Sequence, residues 1–555
     1  MRAGIARQLA RAVMGALVGV AAMAHASEPA IRPPGAGVFV LPAVPSTERS
    51  GAVAEQRLVV NEVVFHGNRV VPDAVLRAIA SPYLGRPIGA LEVEELRRLL
   101  TLHYVNQGYV TSGALVNFPG DYAGGLLHVA IVEGRVVQIR VSGQERLSEH
   151  YVAERLMPES KEALHIGQLR ERYELLLSDP LFSAINTRLV PDVEQGRSIL
   201  YVEVARARPY QLSVFANNYR APSVGESALG LSGWLRNLSG FGDQLSANFQ
   251  GPAGTGKWDR YALSWTLPLN ARGTQLSLQL DDGTSSVIEN PLQQLDIRSK
   301  LSNAELGLGH AVLDSLHSRL AYGLARSHRN NRTWLLGEPF SFTAAIPQGV
   351  LTESTWKLWQ DFSWRTDTRV LAARITRYQV HNNLLPPISG YGGGAQPEGH
   401  YGYWLTQLSL GQRLGESGVQ LQARATLQNA PSRMTALDRF GMGGASTVRG
   451  YRENQLLRDR GAVLNLEVDL PVGDKRESSA LQFGVTPFFA WAKGSNVGEA
   501  PSVLSSAGLA LRAEGYGLSA NLVLARRLIR PAYVDALGGT QQDQGIHLQL
   551  SYSIF

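Results

Sequence analysis

The sequence predicts a mainly β chain: a C-terminal transmembrane β-barrel of about 16 antiparallel strands over residues 210–555, preceded by two small α+β domains. Three observations carry this expectation. From about Tyr210 onward helical periodicity disappears, and segments roughly ten residues long alternate strictly between apolar and polar side chains. Ahead of that region, one order of strand, helix, helix, strand, strand occurs twice. The first residues read as an export signal.

Residues 1–26 place Arg2, Arg7 and Arg11 before an apolar run and end in Ala24-His25-Ala26, a small-x-small cleavage site. Removing these three arginines lowers the formal net charge from +6 to +3, so the basic excess is weak support for nucleic acid, and none is expected as a partner. The chain has no cysteine, which excludes disulfides and thiolate metal sites. After the signal no apolar run reaches the length of a helical membrane span. A soluble exported protein and an outer-membrane barrel remain.

Residues 27–56 are proline-rich and read as a linker or extended segment, because proline removes donors and fixes φ. Residues 57–134 form the first module. RLVVNEVVFHGNRVV reads as a strand closed by a Gly-Asn turn, and PDAVLRAIASPYLG opens with first-turn helix residues. In LEVEELRRLLTLHYVNQGY, Leu91, Leu96, Leu99, Leu100 and Tyr104 recur at helical spacing up to Gly108. Two strands, SGALVNF and GGLLHVAIVEG, complete it. Residues 135–209 repeat the order, with Ile139-Arg140-Val141-Ser142-Gly143-Gln144 displaced 76 residues from Val63-Val64-Phe65-His66-Gly67-Asn68.

In the barrel region DQLSANFQ sets Leu245, Ala247 and Phe249 against Ser246, Asn248 and Gln250, and VQLQARATLQ sets five apolar positions against Gln420, Gln422, Arg424, Thr426 and Gln428. Alternation alone does not separate a soluble sandwich from a barrel. The export signal, the length without a helix, and a final strand GIHLQLSYSIF with Tyr552 in lipid-facing register favour the barrel, whose closure satisfies every backbone group in lipid.

Apparent catalytic motifs fail on chemistry. GPAGTGKW, from Gly251 to Trp258, has a P-loop spacing but Trp258 where a magnesium-binding hydroxyl is needed, so a hairpin turn is expected. The twelve histidines include no H-x-x-x-H pair, and no G-x-S-x-G elbow occurs; no metal, cofactor or catalytic residue is predicted, and the chain is not read as an enzyme. The segment Leu385 to Trp404 reads as a long surface loop.

The stretch RFGMGGASTVRGY, ending in Val448-Arg449-Gly450-Tyr451, together with the two modules and the barrel, resembles the outer-membrane transporter of two-partner secretion systems, the TpsB type typified by ShlB, FhaC and HecB. The resemblance covers nearly the whole chain and makes the modules POTRA domains. It implies an outer-membrane pore, with POTRA domains in the periplasm, that exports one large unfolded exoprotein of adhesin or haemolysin type carrying an N-terminal secretion domain. It also implies a barrel assembly machinery during biogenesis and a monomer surrounded by outer-membrane lipid. In that family VRGY lies on a loop folded into the barrel, and the arginine pairs with an acid in a wall motif F-x-D-x-G. Carried over, the loop anchor is Val448, Arg449, Gly450 and Tyr451.

The wall motif departs from the family, because PFFAWAKG has Trp491, not aspartate, two positions after Phe489. In VLNLEVDLPV, alternation turns Leu464, Leu466, Val468 and Leu470 to lipid and Asn465, Glu467 and Asp469 inward, so Glu467 or Asp469 is the expected partner of Arg449. Capture of the unfolded chain by strand addition is expected at an edge of the second POTRA domain that includes Ile185, Thr187 and Leu189. An assembly insertase for outer-membrane barrels is the alternative function.

Overall fold

The computed structural model describes residues 36–40, 57–157, 163–343, 345–385, 396–473, 481–530 and 539–554. The expected signal peptide, most of the expected linker, the centre of the loop after Leu385 and Phe555 lie outside the described residues. The chain divides into two compact units between Arg208 and Pro209.

The N-terminal unit holds the strand β1 (Ala36–Val40) and two α+β modules. The first contains β2 (Leu58–Val59), β3 (Glu62–His66), α1 (Asp73–Ala80), β4 (Pro87–Ile88), α2 (Ala90–Asn106), β5 (Gly113–Leu115), β6 (Tyr122–Ala123) and β7 (Leu126–Val132). The second contains β8 (Arg135–Ser142), α3 (Glu149–Leu156), α4 (Ile166–Leu177), β9 (Phe182–Pro191) and β10 (Arg197–Arg206). In each, the first long strand runs parallel to the last, which sits inside the sheet: β3 beside β7, β8 beside β10. Their helices bury one stripe against that sheet. In α2 the stripe is Val93, Leu96, Leu100 and Tyr104, while Leu91, expected in the core, is 77% exposed because it falls on the opposite side of the first turn.

The internal repeat has a stereochemical signature. Gly67 and Gly143 occupy equivalent positions after β3 and β8, with φ of +89° and +77°. A Cβ on either would meet a carbonyl oxygen of the neighbouring inner strand, Ile131 at 2.5 Å and Val204 at 2.2 Å. Only glycine satisfies both the left-handed backbone and the close approach.

The edge expected to be open is covered. The second sheet runs β1-β9-β10-β8, and β1 pairs in parallel with β9 from Ala36 beside Ala184 to Val40 beside Arg188. Ile185, Thr187 and Leu189 are buried facing the domain core, so they do not line an open edge. A segment of the region read as linker supplies the missing strand.

The second unit is a closed barrel of 16 strands. In chain order its elements are β11 (Tyr210–Asn217), β12 (Ala228–Arg236), β13 (Gln244–Pro252), β14 (Trp258–Pro268), β15 (Gln275–Ser286), β16 (Arg298–Asp314) and β17 (Ser318–Leu335). There follow the short β18 (Glu338–Pro339), then β19 (Val350–Arg365), β20 (Arg369–Asn382), β21 (His400–Leu414) and β22 (Val419–Asn429). A small hairpin of β23 (Phe440–Met442) and β24 (Leu456–Arg458) stands apart from the wall. The wall resumes with β25 (Arg460–Val472), β26 (Gln482–Ser495), β27 (Ser502–Gly515), β28 (Leu518–Arg527) and β29 (Ile546–Ser553), and β29 closes on β11.

Alternation decides which side chain meets lipid. Leu229, Leu231 and Leu235 of β12, Leu306 and Leu308 of β16, and Leu550 and Tyr552 of β29 are exposed on the outer surface. The opposite parity carries cross-strand polar pairs: Arg260 with Asp281, Lys357 with Glu305, and Arg374 with Asp361 in a bidentate contact. Each pair satisfies charges on a face that apolar neighbours do not cover. The P-loop-like stretch is the turn between β13 and β14, which pair antiparallel.

Candidate functional site: a loop anchored inside the barrel

The connection from β22 to β25, residues 430–459, does not behave as a surface loop. Met434, Met442, Val448, Tyr451 and Asp459 are fully buried, and Thr435, Leu437, Asp438 and Arg449 are nearly so. Phe440, Met442, Val448, Tyr451 and Leu456 pack with the inward side chains Val463, Phe488, Ala490, Ala492, Leu504 and Val523 of the wall. Small inward residues on β26, chiefly Ala490 and Ala492, leave the room that the loop occupies.

Arg449 pairs with Glu467 on β25, and the two side chains are 10% and 9% exposed. Glu467 also accepts from Arg424 of the adjacent β22 at 2.5 Å. Of the two acids expected to be candidates, Asp469 is occupied elsewhere: it accepts from Gln422 at 2.7 Å and Thr486 at 2.6 Å. The expected wall positions need correction. Phe489 faces outward at 38% exposure and Trp491 shares its parity, whereas Phe488 and Ala490 point inward. The Arg449 guanidinium lies over the Phe488 ring at 4.5 Å. Reading the motif from Phe489 placed it one residue out of phase, and in a strand one residue exchanges the two faces.

The rest of the motif is held as closely. The Gly450 N–H donates to Nε2 of His547 on β29 at 2.8 Å, and its carbonyl accepts from Arg527 of β28 at 2.5 Å. Gly450 has φ +89°, and a Cβ there would lie 2.8 Å from Cβ of Ala525. The Tyr451 hydroxyl sits 2.8 Å from the Ser505 carbonyl and 2.5 Å from that of Ile529, and accepts the Ser505 N–H at 3.2 Å. Arg452 makes a bidentate contact to Asp543 at 2.7 and 2.6 Å and reaches Glu289 at 2.8 Å.

A second anchor holds the start of the loop. Asp438 accepts from Arg329 of β17 at 2.5 Å and from Tyr401 and Tyr403 of β21 at 2.7 and 3.2 Å. Glu353 of β19 lies 3.0 Å from the same guanidinium and accepts from Thr435 at 2.6 Å. The second anchor uses β17, β19 and β21, and the VRGY contacts run from β25 on to β28 and β29, so the loop spans the barrel interior from the wall at β17 and β19 to the wall at β28 and β29, about half the ring away.

Alternation along VQLQARATLQ already placed Arg424 inward, and the same parity applied to β28 and β29 places Arg527 and His547 inward. Their meeting with Gly450 has no local signal, because the loop tip reaches β29 only after a long return across the lumen. Among the described residues no group of three or more metal-ligating side chains occurs.

Residues 196–513 match the family Haemolysin secretion/activation protein ShlB/FhaC/HecB, and residues 58–134 match the POTRA domain, ShlB-type. The chain is 23% identical to the outer membrane transporter CdiB of Escherichia coli over 462 residues, covering 79% of this chain and 74% of that one. It is 22% identical to the heme/hemopexin transporter protein HuxB of Haemophilus influenzae over 422 residues, 73% of this chain and 71% of that one. Among solved structures, CdiB from Escherichia coli superposes with a TM-score of 0.67 at 16% identity, over 99% of this chain and 96% of that one. BamA from Haemophilus ducreyi lacking POTRA domains 1–3 superposes with a TM-score of 0.53 at 13% identity, over 90% of this chain and all of that one. The likenesses to solved structures are likenesses of fold. The family match spans more than half of the chain and includes the anchored loop, and the chain therefore belongs to the ShlB/FhaC/HecB family of outer-membrane transporters, with its barrel in the outer membrane and POTRA domains on the periplasmic side.

Proposed function

We propose that the chain exports one large exoprotein of adhesin or haemolysin type from periplasm to cell surface, using the barrel lumen as the path and the loop of residues 430–459 as its movable obstruction. The observation that carries this reading is the loop itself: a buried segment that crosses the lumen yet is fixed by side chains rather than by strand pairing to the wall. Such a segment can leave and return without opening the barrel. Arg449, with Glu467 as its partner, is the anchor of the resting state.

Cargo would enter as an unfolded chain whose N-terminal secretion domain adds a strand to β9, in the place that β1 occupies. The chain's own strand would guard an edge that otherwise invites unspecific pairing. Folding of the exoprotein outside the cell supplies the direction of travel, since each turn that packs there buries surface and opposes return. CdiB and HuxB, the similar proteins, are named as transporters.

Deleting the gene tests the reading: one large protein should vanish from the surface or medium while the outer-membrane barrel content stays intact. Loss of many barrel proteins from the membrane would instead identify an assembly insertase and sink the proposal.

A further inference from the structure

His547 is fully buried in β29, and the secretion reading assigns it nothing. Its geometry is restrictive. A backbone N–H can donate only to a lone pair, so the contact from Gly450 at 2.8 Å requires Nε2 to be unprotonated. The ring is then the neutral tautomer with its proton on Nδ1, an atom with no hydrogen-bond partner among the described residues. On the other side of the same residue, Arg527 holds the Gly450 carbonyl and also donates to the Gln542 carbonyl at 3.0 Å. Both backbone polar groups of Gly450 are thus satisfied by the last two strands of the barrel, and the missing Cβ lets the tip lie flat against Ala525.

The surroundings make that neutral ring essential to the contact. Arg449 comes from the loop with Glu467 as its partner, Arg527 from β28 with Asp543 3.6 Å away, and the Tyr219 ring from the segment after β11, 6.3 Å away and edge-on. Adding a proton would turn Nε2 from acceptor to donor, leaving two N–H groups opposed in a buried site.

We propose that His547 is a positioning residue for transport: as a neutral imidazole it seats the tip of the internal loop against β28 and β29, and its removal or protonation frees the tip. The proposal rests on the secretion reading only in taking the seated loop as the obstruction of the pore.

The test is the conductance of the full-length chain in planar lipid bilayers, scanned from about pH 8 to pH 4 across the range in which histidine side chains titrate in proteins. No exoprotein is present, so failure here is separate from failure of the export experiment. The wild type should be quiet at neutral pH and conduct increasingly as the pH falls. His547→Gln, whose side-chain oxygen still accepts from Gly450, should remain quiet throughout. His547→Leu should conduct roughly tenfold more at neutral pH, the effect of losing one buried hydrogen bond, with no pH response. Folding of each variant is checked by heat-modifiable migration. If His547→Leu does not fold, the comparison of wild type with His547→Gln decides alone. A flat wild-type profile, or a rise in His547→Gln that matches the wild type, would overturn the assignment.

Discussion

Glu467 serves two guanidinium groups in a nearly closed site, and this makes it the most sensitive single side chain of the loop anchor. Glu467→Gln leaves Arg449 and Arg424 without their carboxylate, and breaking a buried pair in this way costs about 3–5 kcal/mol. Asp469→Asn, which perturbs contacts to Gln422 and Thr486, should cost about 1 kcal/mol. Urea unfolding of the detergent-solubilised barrel measures both, and equal effects would show that the neighbouring acid shares the anchor. Gly450→Ala should destabilise by about 1–3 kcal/mol, because the left-handed backbone is strained for alanine and Ala525 must move. Thermal unfolding together with export reports it, and a neutral result would mean that the tip is not held as described. The inward parity of Glu467 was legible in VLNLEVDLPV. Its choice over Asp469 was not, since two residues of one parity differ only in which loop atom reaches them.

At the scale of elements, the second POTRA sheet shows how a short segment changes what an edge can do. β9 has the alternation of an edge strand with one face in the core, and this much was readable from INTRLVPDV. Its coverage by β1 was not readable, because pairing of five residues across more than a hundred positions leaves no periodic trace in either segment. Deleting residues 36–40 should expose the edge. A self-strand that holds the edge nine-tenths of the time lowers apparent affinity about tenfold, so the deletion should tighten binding of a peptide from the exoprotein's secretion domain by about that factor. Fluorescence anisotropy with the full chain measures it, and unchanged affinity would place cargo capture elsewhere.

For the whole molecule, the seam between β11 and β29 separates the two functional readings. An insertase that delivers a client sideways must part the wall, whereas export through the lumen leaves it closed. Ser213 and Ser553 pair across this seam with hydroxyl oxygens 3.2 Å apart, close enough for a disulfide after replacement by cysteine. The chain has no cysteine of its own, so the Ser213→Cys/Ser553→Cys variant forms one defined bond. Export should be unchanged in its oxidised form; loss on oxidation with recovery on reduction would favour a route through the wall.

Sequence by itself determined the strands, the repeat and, where alternation is strict as in VLNLEVDLPV, the face on which a strand residue lies, because periods of two and 3.6 residues are local consequences of backbone geometry; the export signal and the length without a helix turned those strands into a barrel. The tertiary structure decided which inward residues meet. The choice of Glu467 between the two expected acids, and the placing of His547 and Arg527 around Gly450, depend on where a loop returning across the lumen comes to rest. That position is set by the combined packing of wall strands from β17 round to β29, and no single segment encodes it.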